Sequence, residues 1–382
     1  MRCTLTLIPA AILCLSALSS PAQTWEKINP AGVVAIDWLA VDAQDVVTLS
    51  GGGGTFWSAD QGKSWKGGTP ITAPVKILYK GAEATGNSRF AFAAHPDGDL
   101  LTLQLVIAGG KLAASLFIST DHGFNWTNTI DSLPGQPNGF SYGMLCAPDG
   151  YVYVFISTKA VLFDKMFVSK DKGKTFEEAK GGLINHSLCA ADPDGKIYCA
   201  GYKAGANKIS LYRSADHGAA WDSLYSNNSI AAIAANQKGG VAMAIDRSVA
   251  AMFPGDASVK TGTVNFGAGT PTAVAMAPDK TVLLGLQYSG VQKSNTGLDQ
   301  TLSLNDGLGT DTGAIPRQFQ YDSKGNLYLR TGQNVYLMKG TGSGLRPVAA
   351  GKRGSGSSRL LDAEGRKVGA KRHAHVWSVA AP

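Results

Sequence analysis

The sequence predicts an all-β chain of seven small antiparallel sheets set around a ring, and three features predict it. An eight-residue pattern, Ser-x-Asp-x-Gly-x-x-aromatic, is written four times. Seven turns, each followed by alternating apolar residues, recur at intervals of 54, 52, 45, 44, 41 and 45 residues. Glycine is abundant, at 47 of 382 residues, while charged residues make up only 16%. That balance suits many tight turns between apolar strands. Length alone, at about 150 residues per domain, would suggest two or three domains. Repeated units that stack on one another override that expectation and form one body.

The four copies are Ser58 to Trp65, Ser119 to Trp126, Ser169 to Phe176 and Ser214 to Trp221. An Asp carboxylate at the third position can fold back onto the N–H groups of its own turn. The Gly two residues later can take the positive φ such a turn needs. The aromatic then opens the next strand and supplies buried area. The residues predicted to build these corners are Asp60, Gly62 and Trp65; Asp121, Gly123 and Trp126; Asp171, Gly173 and Phe176; and Asp216, Gly218 and Trp221. The pattern resembles the Asp-box (BNR) repeat of sialidase-like β-propellers. The resemblance implies a propeller in which the boxes are structural, and within them His122 and His217 are expected to be exposed turn residues.

The second repeat sets the number of sheets. Its turns fall at Gln44, Gly98, Gly150, Gly195, Gly239, Lys280 and Gly325, and three of them read Pro-Asp-Gly. Period-two runs follow, as in Tyr151-Val152-Tyr153-Val154 and Leu327-Tyr328-Leu329. Seven turns at this spacing predict a seven-bladed β-propeller of four-stranded blades. In each blade the order is strand a, this turn, strand b, a loop, strand c, the acidic corner and strand d. Blades five to seven lack the corner, with Pro254-Gly255-Asp256, Ser294-Asn295-Thr296-Gly297 and Lys339-Gly340-Thr341 in its place. Thr24-Trp25-Glu26-Lys27-Ile28 resembles the segments that follow the corners. It is therefore predicted to be the outer strand of blade seven, closing the ring.

The ends differ from the body. Residues 1–22 read as a secretory signal peptide, with Arg2, an apolar run from Leu5 to Leu18, and Ser20-Pro21-Ala22 before Gln23. The expected location is secreted, periplasmic or cell-surface, with no transmembrane segment. The propeller then spans 23–350. Residues 351–382 form a Gly/Ser linker and basic tail, in which Leu360 to Val368 resembles part of a C-terminal sorting domain of type IX secretion. His373 and His375 could offer two ligands to a metal ion, but without a third nearby they make a weak site, and no metal is expected. The formal charge of +7 sits largely in this tail, which carries seven Lys and Arg against Asp362 and Glu364. The body is close to neutral, which argues against nucleic acid as a partner. Cys189 and Cys199 flank one turn and are placed to form a disulfide across a hairpin. The alternative is that both, with Cys146, are small buried apolar residues.

The topology sends the a–b turns and the acidic corners to one face, and the b–c and d–a loops to the other. Ligands are expected on this second, loop face. It gathers Arg89, Arg247, Arg317, Arg330, Tyr142 and His186 as candidate ligand-binding groups, and arginines can grip a carboxylate in a bidentate fork. Asp37, Asp246, Tyr288 and Glu83 are the candidates for any catalysis; paired carboxylates such as Asp37 and Asp246 can cleave a glycosidic bond. The family resemblance implies, for a true sialidase, an Arg triad, a Tyr nucleophile paired with Glu, and an Asp acid. The sequence departs from that pattern. It has no Arg in residues 23–57, where an Arg-Ile/Leu-Pro motif is expected, and no Glu between Glu178 and Asp362. Nor do any Ser-His-Asp spacing, phosphate loop or zinc-ligand cluster stand out. The first reading is thus a non-catalytic exported propeller, without cofactor or metal, that binds a glycan, peptide or protein. In this it is similar to assembly-factor propellers that use Asp boxes without glycosidase motifs. The second is a glycoside hydrolase of the sialidase-like superfamily. Convergence of Arg247, Arg317 and Arg330 beside a carboxylate would discriminate them.

Overall fold

The computed structural model describes residues 23–51, 54–67, 77–79, 82–84, 88–108, 111–130, 142–156, 165–203, 206, 208–227, 229–236, 238–245, 248–262, 269–309 and 315–340. The leader at 1–22, the tail at 351–382, Asp246 and Arg247 lie outside these residues. Glu83, Arg89, Tyr142 and His186 are placed by their strands alone.

Seven sheets, antiparallel except for one pairing in blade 2, follow one another along the sequence. Blade 1 runs Trp38–Val41, Val47–Gly51, Gly54–Ser58 and Lys66–Gly67. Blades 3 to 6 repeat this meander, with inner strands Tyr142–Cys146, Leu183–Ala191, Ala232–Ala235 and Pro271–Met276. Blade 2 starts at Ser88–Ala94 and is wider than expected. A hairpin of Ile77–Tyr79 and Ala82–Ala84 extends its outer strand, Trp126–Ile130, with Ile77–Tyr79 pairing in parallel. Blade 7 is built from Gln318–Tyr321, Leu327–Arg330 and Val335–Met338, and its fourth strand is Trp25–Lys27 from the opposite end of the propeller sequence. Trp25 pairs with Met338, Glu26 with Leu337 and Lys27 with Tyr336. The predicted closure is therefore observed.

The core lies between blades, and period two explains why. Strand Val152–Ile156 is buried throughout. Val152, Val154 and Ile156 face the joint with blade 2, while Tyr153 and Phe155 face the joint with blade 4. Val241, Met243 and Ile245 likewise join blade 4, and Ala242 and Ala244 join blade 6. Alternate residues of one strand thus serve two neighbours. Among the described residues there are seven buried clusters, one for each joint of the ring. The joint between blades 7 and 1, where the ring closes, is packed like the others: Tyr328, Val335 and Leu337 lie against Ile28, Ile36, Leu39 and Leu49.

The predicted turns hold with one adjustment. Gly98, Gly150, Gly195, Gly239, Lys280 and Gly325 take positive φ, but in blade 1 the left-handed residue is Asp45, not Gln44. Asp42 selects that register, because its carboxylate accepts from both the Gln44 and the Val46 N–H at 2.9 Å. Asp192 and Asp322 hold the equivalent turns of blades 4 and 7 in the same way. Cys189 and Cys199 are direct cross-strand partners and form a disulfide, while Cys146 is free. The reading of three unpaired buried cysteines is thereby corrected.

Candidate functional site

The four acidic corners share one geometry. Ser58, Ser119, Ser169 and Ser214 each donate a hydroxyl to the corner Asp at 2.7–2.8 Å. Each accepts the corner Gly N–H at 2.7 Å. The Asp in turn accepts the N–H four residues on, at 2.9 Å in every copy. The Ser64 hydroxyl and amide, with the Ser58 hydroxyl, hold the Asp60 carboxyl down to about 2. The Ala220 amide and Ser214 hydroxyl lower Asp216. Burial pushes Asp121 and Asp171 up, but their corner hydrogen bonds outweigh it and both end below the usual carboxylate value. Asp60, Asp121 and Asp171 also accept at Oδ2 from the side chains of Ser64, Asn125 and Thr175, so both of their oxygens are engaged in the turn, whereas Asp216, followed by Ala220, is held through Oδ1.

The residue before each corner glycine also lies in the left-handed region: Gln61, His122, Lys172 and His217. Three of these cross to the preceding blade. His122 stacks on Trp57 with ring centroids 4.4 Å apart. Lys172 pairs with Asp97 and Asp99. His217 stacks on Tyr151 and its Nδ1 lies 2.7 Å from the Tyr153 hydroxyl. The two histidines are therefore joint residues, not free turn residues. Two left-handed residues in succession aim the side group sideways along the rim, which a reading of the glycine alone does not reveal.

The loop face offers uncommitted charge. Arg317 begins the inner strand of blade 7, and its N–H donates to the Arg330 carbonyl at 2.8 Å, so the two are cross-strand neighbours. Arg330 is partly buried; its Nη1 donates to the Ile36 carbonyl at 3.1 Å and its Nε to Gln318 Oε1 at 3.3 Å. Burial, and then the Arg317 charge, lower the Arg330 guanidinium to about 10, with Asp37 acting in the opposite direction. Asp37 is exposed and begins the inner strand of blade 1, its N–H donating to the Ser50 carbonyl. Neither arginine forms an ion pair with the described residues. Three predicted site residues, Asp37, Arg317 and Arg330, are thus brought together at the joint of blades 7 and 1.

Tyr288 stands apart from them in sequence but on the same face, 73% exposed at the b–c turn of blade 6, with φ 66°. The backbone places Arg89, Tyr142 and His186 on the inner strands of blades 2, 3 and 4, and Glu83 on the added hairpin at the outer edge of blade 2. Glu83 is therefore carried away from the channel, because that hairpin extends the outer strand. Below the loops, the inner strands enclose a channel of about 600 Å³, lined by Phe92, Met144, Leu188, Ile233 and Phe319, with Arg317 at its wall. Val34, 76% exposed on the segment before Asp37, is a loop-face residue that the sequence reading did not select. Nothing in its local pattern marks it; only its exposure does. No three His, Cys, Asp or Glu side groups among the described residues are gathered to hold a metal ion. No helix there is long and apolar enough to cross a membrane.

No family model matches the sequence, and no curated protein is similar to it. Solved structures are similar in fold. YCF48 bound to a D1 peptide matches at 15% identity and TM-score 0.53, over 86% of this protein and 99% of that one. Virginiamycin B lyase from Staphylococcus aureus, a catalytically inactive variant with quinupristin, matches at 11% and 0.58, over 82% and 99%. The GH74 xyloglucanase from Xanthomonas campestris matches at 14% and 0.55, over 82% of this protein and 53% of that one. These likenesses establish a seven-bladed β-propeller. Propellers of this form serve a peptide complex, a lyase and a glycosidase, so the fold leaves function to the site.

Proposed function

We propose that this protein is an exported β-propeller of the Asp-box (BNR) type that binds a peptide or protein through its loop face, without catalysis. The observation that carries the reading is the Arg317–Arg330 pair. The two arginines are cross-strand neighbours, Arg317 N–H donating to the Arg330 carbonyl, and Arg330 Nη1 bonds the carbonyl of Ile36, the residue before the exposed Asp37. Like charges held together are unfavourable unless an anion joins them, and arginine forks match a carboxylate. Three of the corner aspartates, Asp60, Asp121 and Asp171, by contrast engage both carboxylate oxygens within their own turns. YCF48, of the same fold, is described with a bound D1 peptide, which makes a peptide ligand a consistent choice.

The second reading is a glycoside hydrolase of the sialidase-like superfamily, acting on a sugar that bears a carboxylate. The same convergence of two arginines beside a carboxylate favours it. Asp37 then serves as the acid, with Asp246 or Tyr288 as its partner.

The test is to screen the exported full-length protein against peptide and glycan arrays and against fluorogenic sialosides. Binding of acidic peptides, lost in Arg317→Gln and without sugar release, supports the first reading. Turnover that vanishes in Asp37→Asn overturns it in favour of the second. Export is checked by sequencing the N-terminus of the secreted protein, which is expected to begin at Gln23.

A further inference from the structure

Large apolar residues are exposed at four described positions, Val34, Phe124, Tyr288 and Leu302. Phe124 belongs to an acidic corner on the turn face, and Leu302 to the outer strand of blade 6. Val34 and Tyr288 are on the loop face, Tyr288 on blade 6 and Val34 on the segment entering blade 1, the two neighbours of the blade that carries the arginines.

The packing makes this one continuous sector. Gly285, at the end of the blade 6 strand that leads to Tyr288, lies so close to blade 7 that a Cβ there would sit 2.5 Å from Cβ of Pro316. Pro316 immediately precedes Arg317. On the other side, Arg330 Nη1 donates to the Ile36 carbonyl, and the Ile36 N–H donates to the Gly332 carbonyl at 3.4 Å. These contacts fix the segment that carries Val34 and Asp37 against blade 7. Tyr288 adds a conformational argument. A bulky residue at φ 66° is unusual, since Gly or Asn takes the left-handed region at lower cost. Here the strained position carries an aromatic ring that is turned to solvent. Strain retained at an exposed aromatic points to a surface used for contact.

We propose that blades 6, 7 and 1 present a single peptide-binding sector in which Arg317 and Arg330 take a carboxylate while Tyr288 and Val34 cover apolar groups of the ligand on either side of it. The inference rests on the reading of the loop face as a peptide-binding surface and deepens it by naming the ligand: an acidic group flanked by apolar residues. Tyr and Arg are the residue types that concentrate binding energy at interfaces, which suits this pairing. With an exposed apolar residue on each neighbouring blade, the carboxylate is that of an internal Asp or Glu of the peptide, with apolar residues both before and after it.

The experiment measures fluorescence polarisation of labelled synthetic peptides with the full-length exported protein. One pair carries an internal Leu-Asp-Leu or Leu-Asn-Leu, blocked at both ends. A second pair ends in Leu-Leu as the free acid or the amide. A fifth peptide, Gly-Asp-Gly, keeps the acid and removes the apolar flanks. The Leu-Asp-Leu peptide is expected to bind about tenfold or more tightly than Leu-Asn-Leu, whereas a difference confined to the pair with free or amidated ends would overturn the internal acid. Tyr288→Asn keeps the left-handed turn, and Val34→Ser keeps the exposed segment. Each is expected to weaken the Leu-flanked acid by roughly three- to tenfold and to leave Gly-Asp-Gly unchanged. Arg317→Gln should weaken every acidic peptide. If Arg317→Gln abolishes binding but Tyr288→Asn and Val34→Ser do not alter it, the sector is wrong and loop-face binding stands. If Arg317→Gln changes nothing, or no acidic peptide binds, both fail.

Discussion

His217 lies face to face with Tyr151, with ring centroids 3.7 Å apart and planes 5° from parallel, across the joint between blades 4 and 3. Its Nδ1 meets the Tyr153 hydroxyl at 2.7 Å, and Asp149 Oδ2 lies 3.9 Å away. Tyr153 needs this partner for a specific reason. The equivalent tyrosines of blades 4 and 7, Tyr198 and Tyr328, bond to Asp192 and Asp322 in their own turns. Blade 3 has Ala147 at that position, so its buried hydroxyl turns to the neighbouring blade instead.

His217→Ala is therefore expected to cost about 1–3 kcal/mol, from the lost stack and the stranded buried hydroxyl. The Tyr153→Phe/His217→Ala double variant should recover part of that loss, because it removes the stranded group. Urea denaturation of the four members of the cycle measures the coupling; strict additivity would refute the link.

The acidic corners predict acid sensitivity of a definite sign. Asp60, Asp121, Asp171 and Asp216 all have folded values below their ordinary one. A carboxyl depressed by folding contributes stability above its unfolded value, and that contribution is lost as pH falls through the folded value. For Asp60 the window runs from 3.8 down to about 2. Asp42 and Asp192 act in the opposite sense, since burial raises both. The urea midpoint of wild type should fall on acidification below about pH 4, and Asp60→Asn should flatten that slope. A steeper slope in the variant would contradict the assignment.

Ring closure rests on a short strand. Trp25 is 4% exposed, its Nε1 donates to the Leu304 carbonyl at 2.7 Å, and its N–H to the Asp306 carbonyl at 2.8 Å. Trp65, from the first corner, donates to the Ile28 carbonyl at 2.8 Å. Trp25→Ala is expected to cost about 3–5 kcal/mol. Deletion of residues 24–28 should broaden or abolish the cooperative melt in calorimetry, because the third strand of blade 7 loses its partner.

The Cys189–Cys199 bridge closes a short loop across one hairpin, with a sequence separation of 10. The loop-closure entropy it removes from the unfolded state is worth about 2–3 kcal/mol. The Cys189→Ala/Cys199→Ala variant should be less stable by that amount. Desolvation pushes the Cys146 thiol up to about 12, while the residue is half-buried on the channel wall, so Cys146 should be alkylated slowly in the folded protein and faster once it unfolds. Mass spectrometry of protein alkylated after unfolding without reduction is expected to find label on Cys146 and none on Cys189 or Cys199.

Much of this architecture is local information. The corner pattern, the seven turns and the outer-strand likeness of Thr24 to Ile28 are short-range features, because a turn is decided by its own hydrogen bonds and by which residues tolerate positive φ. Blade number followed from turn spacing, and closure from the resemblance of one segment to others. What the sequence alone could not determine is which residues meet across joints. His217 reaching Tyr151, Arg330 holding the Ile36 carbonyl, and the added hairpin carrying Glu83 outward all depend on packing between segments far apart in sequence. Of the loop-face candidates scattered over the sequence, the ring brings Asp37, Arg317 and Arg330 together, because closure places the last blade beside the first. Val34 became visible only through exposure, a property that residue type does not encode.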